Sequence, residues 1–287
     1  MNNVIVRGIT GIFFIAAVVW CIWYNPVTLW MLSAVITAIS LYEFYRIIFK
    51  GELSFLQYAI HITAGVYLTT VLWLASTGII AASANIALAA IPYLLYIIIV
   101  FITELYSRKE DPFTDAAKSF AGHIYIAVPV GLLSYMAFYP HATILSYYLP
   151  FMLLSFFVLI WIYDTGAFIT GMTFGKHRLF ERISPKKSWE GVWGGVILAV
   201  LASWGLYTLF SHVGINPMTI WQWIGFAVTV TVAATFGDLS ESLLKRTYGI
   251  KDSGKILPGH GGMMDRFDSI FIAAPAAFIY LSLILYI

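Results

Sequence analysis

Gly237–Asp268 reads GDLSESLLKRTYGIKDSGKILPGHGGMMDRFD and holds ten charged side chains, in a chain that is only 10% charged overall. Residues 217–236 before it (PMTIWQWIGFAVTVTVAATF) and 269–287 after it (SIFIAAPAAFIYLSLILYI) are almost wholly apolar. Each flank approaches the roughly 20 residues that a helix needs to cross the hydrocarbon core of a bilayer. A charged, glycine-rich island held between two membrane-length segments is where chemistry is expected.

The rest of the chain agrees with that setting. Hydrophobic residues make up 61% of 287 and aromatics 17%, against the roughly half-apolar, quarter-charged make-up of a soluble domain. The composition therefore excludes a soluble globular protein. The single cysteine, Cys21, lies in the first apolar run, so no disulfide forms within one chain. That run lacks a small-residue cleavage site and carries Trp20, Trp23 and Tyr24 as an interfacial belt, which favours an uncleaved span over a signal peptide.

Apolar runs of spanning length lie near 8–24, 27–48, 56–76, 79–103, 120–139, 143–163, 190–210, 217–236 and 267–287. The expected fold is an all-α polytopic integral membrane protein of about nine transmembrane helices. Residues 1–140 form its N-terminal helices. Residues 141–287 form a catalytic region with loops 164–189 and 237–266. With the N-terminus in the cytoplasm, all 16 Lys and Arg residues fall in or beside the cytoplasmic segments: Arg7 in the N-terminal tail and the other 15 in or beside 48–56, 104–119, 164–189 and 237–266. The opposite loops have none, as the positive-inside rule predicts. Net charge is only +2, so the basic side suits lipid headgroups or phosphates rather than nucleic acid.

Of 30 charged residues, 18 lie in Asp164–Glu190 and Asp238–Asp268. Asp164 follows an apolar run and precedes eleven uncharged residues, which places it at or below the interface. An ionisable group there is expensive and marks a functional site, unless it simply ends a helix at Thr165 and Gly166. Ser184 reads as an N-cap, Pro185 as a first helical residue, and Lys186 and Lys187 as the first turn of the seventh span. Lysines oppose the helix dipole there, which favours an anion at that terminus. Glu190 is placed to pair with either lysine, and Gly191, Gly194 and Gly195 read as close-packing positions.

In the second region, a helix over 237–248 puts Asp238, Glu241, Ser242 and Lys245 on one stripe of an interfacial helix. Lys251, Asp252 and Lys255 surround a Ser253–Gly254 turn, and Gly259, Gly261 and Gly262 flank His260 in a loop whose N–H groups can approach an anion. Asp265 and Asp268 are spaced by one helical turn. Their hard oxygens suit Mg²⁺ shared between protein and substrate phosphates.

These residues resemble a long, ordered signature: Ser242-Leu-Leu-Lys245-Arg246, Lys251-Asp252-Ser-Gly254, and Leu257-Pro258-Gly259-His260-Gly261-Gly262-Met-Met-Asp265-Arg266-Phe-Asp268. It is the signature of the phosphatidate cytidylyltransferases, or CDP-diacylglycerol synthases. The resemblance extends to YDTGAF at Tyr163, FGKH at Phe174, SPKKSWEG at Ser184 and GDLSES at Gly237. It covers most of the C-terminal half, while residues 1 to 140 resemble the family only as hydrophobic spans.

The resemblance implies transfer of CMP from CTP to phosphatidate, giving CDP-diacylglycerol and pyrophosphate. It implies Mg²⁺ on Asp238 and Asp265, with Asp268 as a further ligand or a partner of one, and leaves a second cation open. Lys245, Arg246, Lys251, Lys255 and Arg266 are then candidates for phosphate contacts, with Lys186 and Lys187 for nucleotide or lipid headgroup. Phosphatidate is already ionised at neutral pH, so His260 is expected to position rather than to act as an essential base. The expected setting is a bacterial inner membrane with the site on the cytoplasmic side, and a homodimer is the prior for a multi-span lipid enzyme. Two alternatives differ in class. A transporter would place its charges at the bilayer midplane, often within inverted repeats, and a CDP-alcohol phosphotransferase would need a DG-x-x-AR pattern that fits neither Asp164 nor Asp265.

Overall fold

A computed structural model describes residues 3–80, 83–107, 111–138, 148–256 and 261–285. Among them, eight helices are long and apolar enough to cross a membrane, and Thr10–Tyr24 adds a shorter apolar one. The fold is all-α and polytopic, as the apolar runs require. In lipid a helix satisfies its own backbone groups, so long apolar segments have little alternative.

The described residues divide into two units: Met1–Pro150 with Lys251–Phe267, and Phe151–Ile250 with Asp268–Ile287. The first contains α1 (Asn3–Tyr24), α2 (Pro26–Ile48), α3 (Phe55–Ser76), α4 (Ser83–Tyr106), α5 (Pro112–Gly122) and α6 (Val128–Leu132). Polar caps set the starts of α2 and α3. Asn25 and Thr28 form a capping box on α2, and Ser54 and Gln57 form one on α3. Between α5 and α6, His123–Ala127 make a π-helical turn in which the Val128 N–H reaches His123 O. Pro129 follows at once, and its missing N–H makes this the place where the regular ladder gives way.

This N-terminal part is more than a set of apolar spans. Tyr45 Oη donates to Ser119 O at 2.6 Å, and Thr37 and Thr69 share a hydrogen bond of 3.0 Å. His61 Nδ1 bonds Tyr96 Oη at 2.8 Å, and Tyr93 Oη bonds His123 Nδ1 at 2.9 Å. Each of these groups would be costly in hydrocarbon without its partner.

The second unit contains α7 (Phe151–Phe174), a hairpin of β1 (Arg178–Phe180) and β2 (Ser184–Ser188), α8 (Trp189–Val213), α9 (Ile220–Thr247) and, after Asp268, α11 (Ile270–Leu285). A short α10 (Met264–Phe267) closes the first unit's segment. Small residues let α7 and α8 touch backbone to backbone. A Cβ on Gly194 would lie 2.2 Å from Thr170 Oγ1, and one on Gly195 would lie 2.7 Å from Tyr163 O. Gly191, against Ala167 O, is equally tight. The close-packing role expected of these three glycines holds.

Three boundaries differ from the sequence expectation. The span expected at 143–163 runs on to Phe174, so Asp164 lies inside a continuous helix and does not end one at Thr165 and Gly166. The helix expected as separate and interfacial at 237–248 is the last third of α9, continuous from Ile220. Ser184 caps nothing, because Ser184–Ser188 is a strand and Ser188 Oγ accepts the Gly191 N–H instead. That shift moves Lys186 and Lys187 out of the first helical turn, where they would oppose the dipole, and puts Glu190 there, where a carboxylate is favoured.

Candidate active site

In the second unit, Asp164 on α7, Lys187 on β2, Asp238 on α9 and Asp268 ahead of α11 come together. Gly237 makes this possible: a Cβ there would lie 2.7 Å from both Asp268 O and Ser269 O, so the backbone entering α11 can lie directly against α9. Lys187 Nζ pairs with Asp238 Oδ2, and Ser242 Oγ lies 3.3 Å from Asp238 Oδ1. Asp164 and Asp268 both lie within electrostatic reach of Asp238 and of Lys187. Asp268 Oδ1 accepts the Ser269 N–H at 2.6 Å. Behind the cluster, Tyr163 Oη and Thr235 Oγ1 are joined at 2.5 Å and tie α7 to α9.

The hairpin that carries Lys187 is held at base and tip. Trp189 N donates to His177 O at 2.9 Å, and Glu190 accepts from the Lys176 and His177 N–H groups and bonds His177 Nδ1 at 2.6 Å. Glu190 therefore pairs with the hairpin base and not with Lys186 or Lys187. At the tip, Arg246 Nε reaches Ile183 O at 3.4 Å, while Arg246 Nη1 reaches Ile250 O at 3.4 Å. Lys245 is paired with fully buried Glu241 at 2.6 Å, on the stripe that the spacing predicts. Lys186 is exposed.

The first unit holds a different arrangement. Asp265 Oδ2 accepts from Ser253 N (2.9 Å), Ser253 Oγ (3.0 Å) and Gly262 N (2.8 Å). Glu43 on α2 is 1% exposed, and accepts from Ser253 Oγ (2.9 Å), Met263 N (3.0 Å) and Met264 N (2.9 Å). Arg46, one turn further along α2, donates to Ser253 O at 2.7 Å. Gly261 takes a φ of +82°, a conformation that favours glycine, beside the Asp265 carboxylate. Lys251, Lys255 and Arg266 are exposed, and His260 lies outside the described residues. The three-residue spacing of Asp265 and Asp268 does not mark one helical turn, because α10 ends at Phe267 and α11 starts at Ile270.

Glu43 and Arg46 were missed by the sequence reading, as were Tyr163 and Thr235. The signal for the first pair was present: two ionisable residues three apart near the end of an otherwise apolar span. Tyr163 opens the YDTGAF segment of the resemblance, while Thr235 carried no signal.

A sequence model described as the cytidylyltransferase family matches residues 5–284. The chain belongs to the cytidylyltransferase family. Among curated proteins, the chain is 46% identical over 121 residues to one from Thermotoga maritima, covering 42% of this chain and 44% of that one. It is 40% identical over 135 residues to one from Haemophilus influenzae, covering 47% of each. Over 177 residues it is 36% identical to one from Staphylococcus epidermidis, covering 62% of this chain and 63% of the relative. All three are named phosphatidate cytidylyltransferase. The chain thus spans between 44 and 63% of the length of these relatives.

Proposed function

We propose that this protein transfers CMP from CTP to phosphatidate, releasing pyrophosphate, on the cytoplasmic side of a bacterial inner membrane. The observation that carries the reading is the ion pair of Lys187 with Asp238, with Asp164 and Asp268 within electrostatic reach of both, in a chain of the cytidylyltransferase family. Three relatives named phosphatidate cytidylyltransferase supply the substrate class. The side of the membrane is supported by the Lys and Arg residues, which sit in the N-terminal tail and in or beside one set of loops.

In the reaction a phosphate oxygen of the lipid bonds to the α-phosphorus of CTP while the bond from that phosphorus to the bridging oxygen breaks, and pyrophosphate leaves with the electron pair. No proton need be removed from the nucleophile. The catalyst's task is to bring two anions together and to stabilise the leaving group. Asp164, Asp238 and Asp268, within electrostatic reach of Lys187, outnumber it and leave an excess of negative charge that a cation relieves, and the hard oxygens of Asp238 fit Mg²⁺. Among the described residues no three acidic, His or Cys side chains form a complete metal centre, so the fit is to an ion shared with substrate phosphates. When bound, Mg²⁺ would neutralise phosphate charge and stabilise developing charge on pyrophosphate. Asp238 is its principal ligand in this proposal, and Asp265 is retained as a second on the sequence signature alone. Lys187, held by its hairpin against Asp238, orients that carboxylate and offers its ammonium to an arriving phosphate. Ser242 supports the other oxygen of Asp238. Arg246 and Lys245 fix the hairpin tip and α9 in addition to any phosphate contact.

The test is purified protein in mixed micelles with CTP, phosphatidate and Mg²⁺. Equal release of CDP-diacylglycerol and pyrophosphate is expected. No CTP-dependent product, or a product that requires CDP-diacylglycerol plus an alcohol, overturns the proposal.

A further inference from the structure

A carboxylate in an apolar helix is stable only when its hydrogen-bonding capacity is met, since an isolated buried charge costs several kcal/mol. Glu43 meets this demand with a single stretch of chain. Its partners are Ser253 at one end of a loop and the Met263 and Met264 N–H groups at the other. Arg46 reinforces the first attachment through Ser253 O. One helical turn of α2, from Glu43 to Arg46, therefore holds the chain at Ser253 and again at Met263 and Met264.

The glycines of that segment are fitted to the same carboxylate. A Cβ on Gly254 would lie 2.1 Å from Glu43 Oε1, and one on Gly262 would lie 2.4 Å from Oε2. Ser253 Oγ is 2.9 Å from Glu43 Oε2 and 3.0 Å from Asp265 Oδ2, yet it has one proton to donate. The orientations of Glu43 and Asp265 are therefore linked through a shared hydroxyl, with the Ser253 and Gly262 N–H groups completing the hold on Asp265.

We infer that Glu43 is a positioning residue for the nucleotidyl-transfer site: it fixes Ser253 and residues 262–264 so that Asp265 and Arg266 are presented in one orientation. The inference rests on the proposed function for what is positioned, but its geometric core does not. Glu43→Gln keeps the size of the side chain while placing an amide group against N–H donors, so the grip is weakened where it acts.

The experiment compares wild type, Glu43→Gln, Glu43→Asp and Ser253→Ala as full-length protein in micelles, with folding checked by thermal unfolding. Backbone hydrogen exchange is read over 251–267, and binding of CTP is titrated against Mg²⁺ without lipid. In Glu43→Gln the Met263 and Met264 amides are expected to exchange at least about tenfold faster, with peptides of α9 unchanged. The Mg²⁺ concentration for half-maximal CTP binding is expected to rise about fivefold or more, with partial recovery in Glu43→Asp. Should Glu43→Gln fail to fold, Ser253→Ala, which leaves both backbone bonds to Glu43 in place, is expected to show the same two changes at smaller size. Unchanged exchange and unchanged Mg²⁺ dependence in whichever of these two variants folds overturns the inference. Faster exchange in a protein whose wild type forms no CTP-dependent product overturns the proposed function and leaves the grip of Glu43 standing.

Discussion

Two groups of carboxylates receive opposite treatment from their surroundings. Glu43 and Asp265 are met by backbone N–H groups and one serine hydroxyl, so that each is held in place by neutral donors on a fixed scaffold. Asp164, Asp238 and Asp268 are set among charges: Lys187 pairs with Asp238, and Asp164 and Asp268 lie within electrostatic reach of both. Neutral donors fix geometry without supplying charge, which suits a part whose task is to hold its shape. A cluster with more carboxylates than ammonium groups keeps unmet demand for positive charge, which suits a part that takes up a cation and phosphates. The comparison separates carboxylates already fixed in one orientation by neutral donors from carboxylates set among charges, although both groups are acidic.

The largest effect expected from this distinction is at Asp238. Asp238→Asn keeps shape and removes charge, and should lower CMP transfer by about 10²–10³-fold, the scale seen when one preorganised electrostatic contact is removed. Thermal unfolding should move little; full turnover would sink the metal assignment. Lys245 tests the reverse case. Its partner Glu241 is fully buried, so Lys245→Ala should destabilise by about 3–5 kcal/mol, as expected when one member of a buried ion pair is removed. A Lys245→Ala protein with wild-type melting and lost activity would move that lysine from the part that holds its shape to the part that takes up phosphates.

Lys187→Ala should act more mildly. The pair is partly exposed, and loss of one charge-assisted contact to phosphate is expected to raise the apparent KM for one substrate by about tenfold. Steady-state kinetics with CTP and phosphatidate varied separately will show which; no change in either withdraws the lysine from the site. The smallest effect is expected at Gly194. An added methyl there meets Thr170, and Gly194→Ala should cost about 1–3 kcal/mol of stability by overpacking α7 against α8. Denaturation in micelles checks it, and a stable Gly194→Ala protein would show that the two helices can separate without loss.

Much of this was legible in the chain. Apolar runs of spanning length gave eight of the helices and the short first one, because the bilayer leaves the backbone few options. The close packing of Gly191, Gly194 and Gly195 followed from their spacing. The SPKKS segment was not legible as a strand. Ser184–Pro185 and Ser188–Trp189 both offer a serine ahead of a helix, and only the placement of Glu190 in the first turn, bonded to His177, selects the second. Asp164 gave no sign that its helix continues ten residues further, since polar residues at a helix end and inside one look alike in sequence. Glu43 and Arg46 mark the end of their span in the sequence, but which donors Glu43 meets is not readable there, because those donors lie more than 200 positions away.

The amino-acid sequence by itself determined the membrane class, the positions and rough length of the apolar spans and the family signature. These are properties of composition and local spacing, which need no knowledge of what folds against what. The tertiary structure alone decided the partners: that Lys187 faces Asp238 from a strand, that Gly237 lets Asp268 approach α9, and that Glu43 closes on Ser253, 210 positions away. A buried carboxylate is defined by the donors that satisfy it, and donors so distant along the chain are brought to it only by packing.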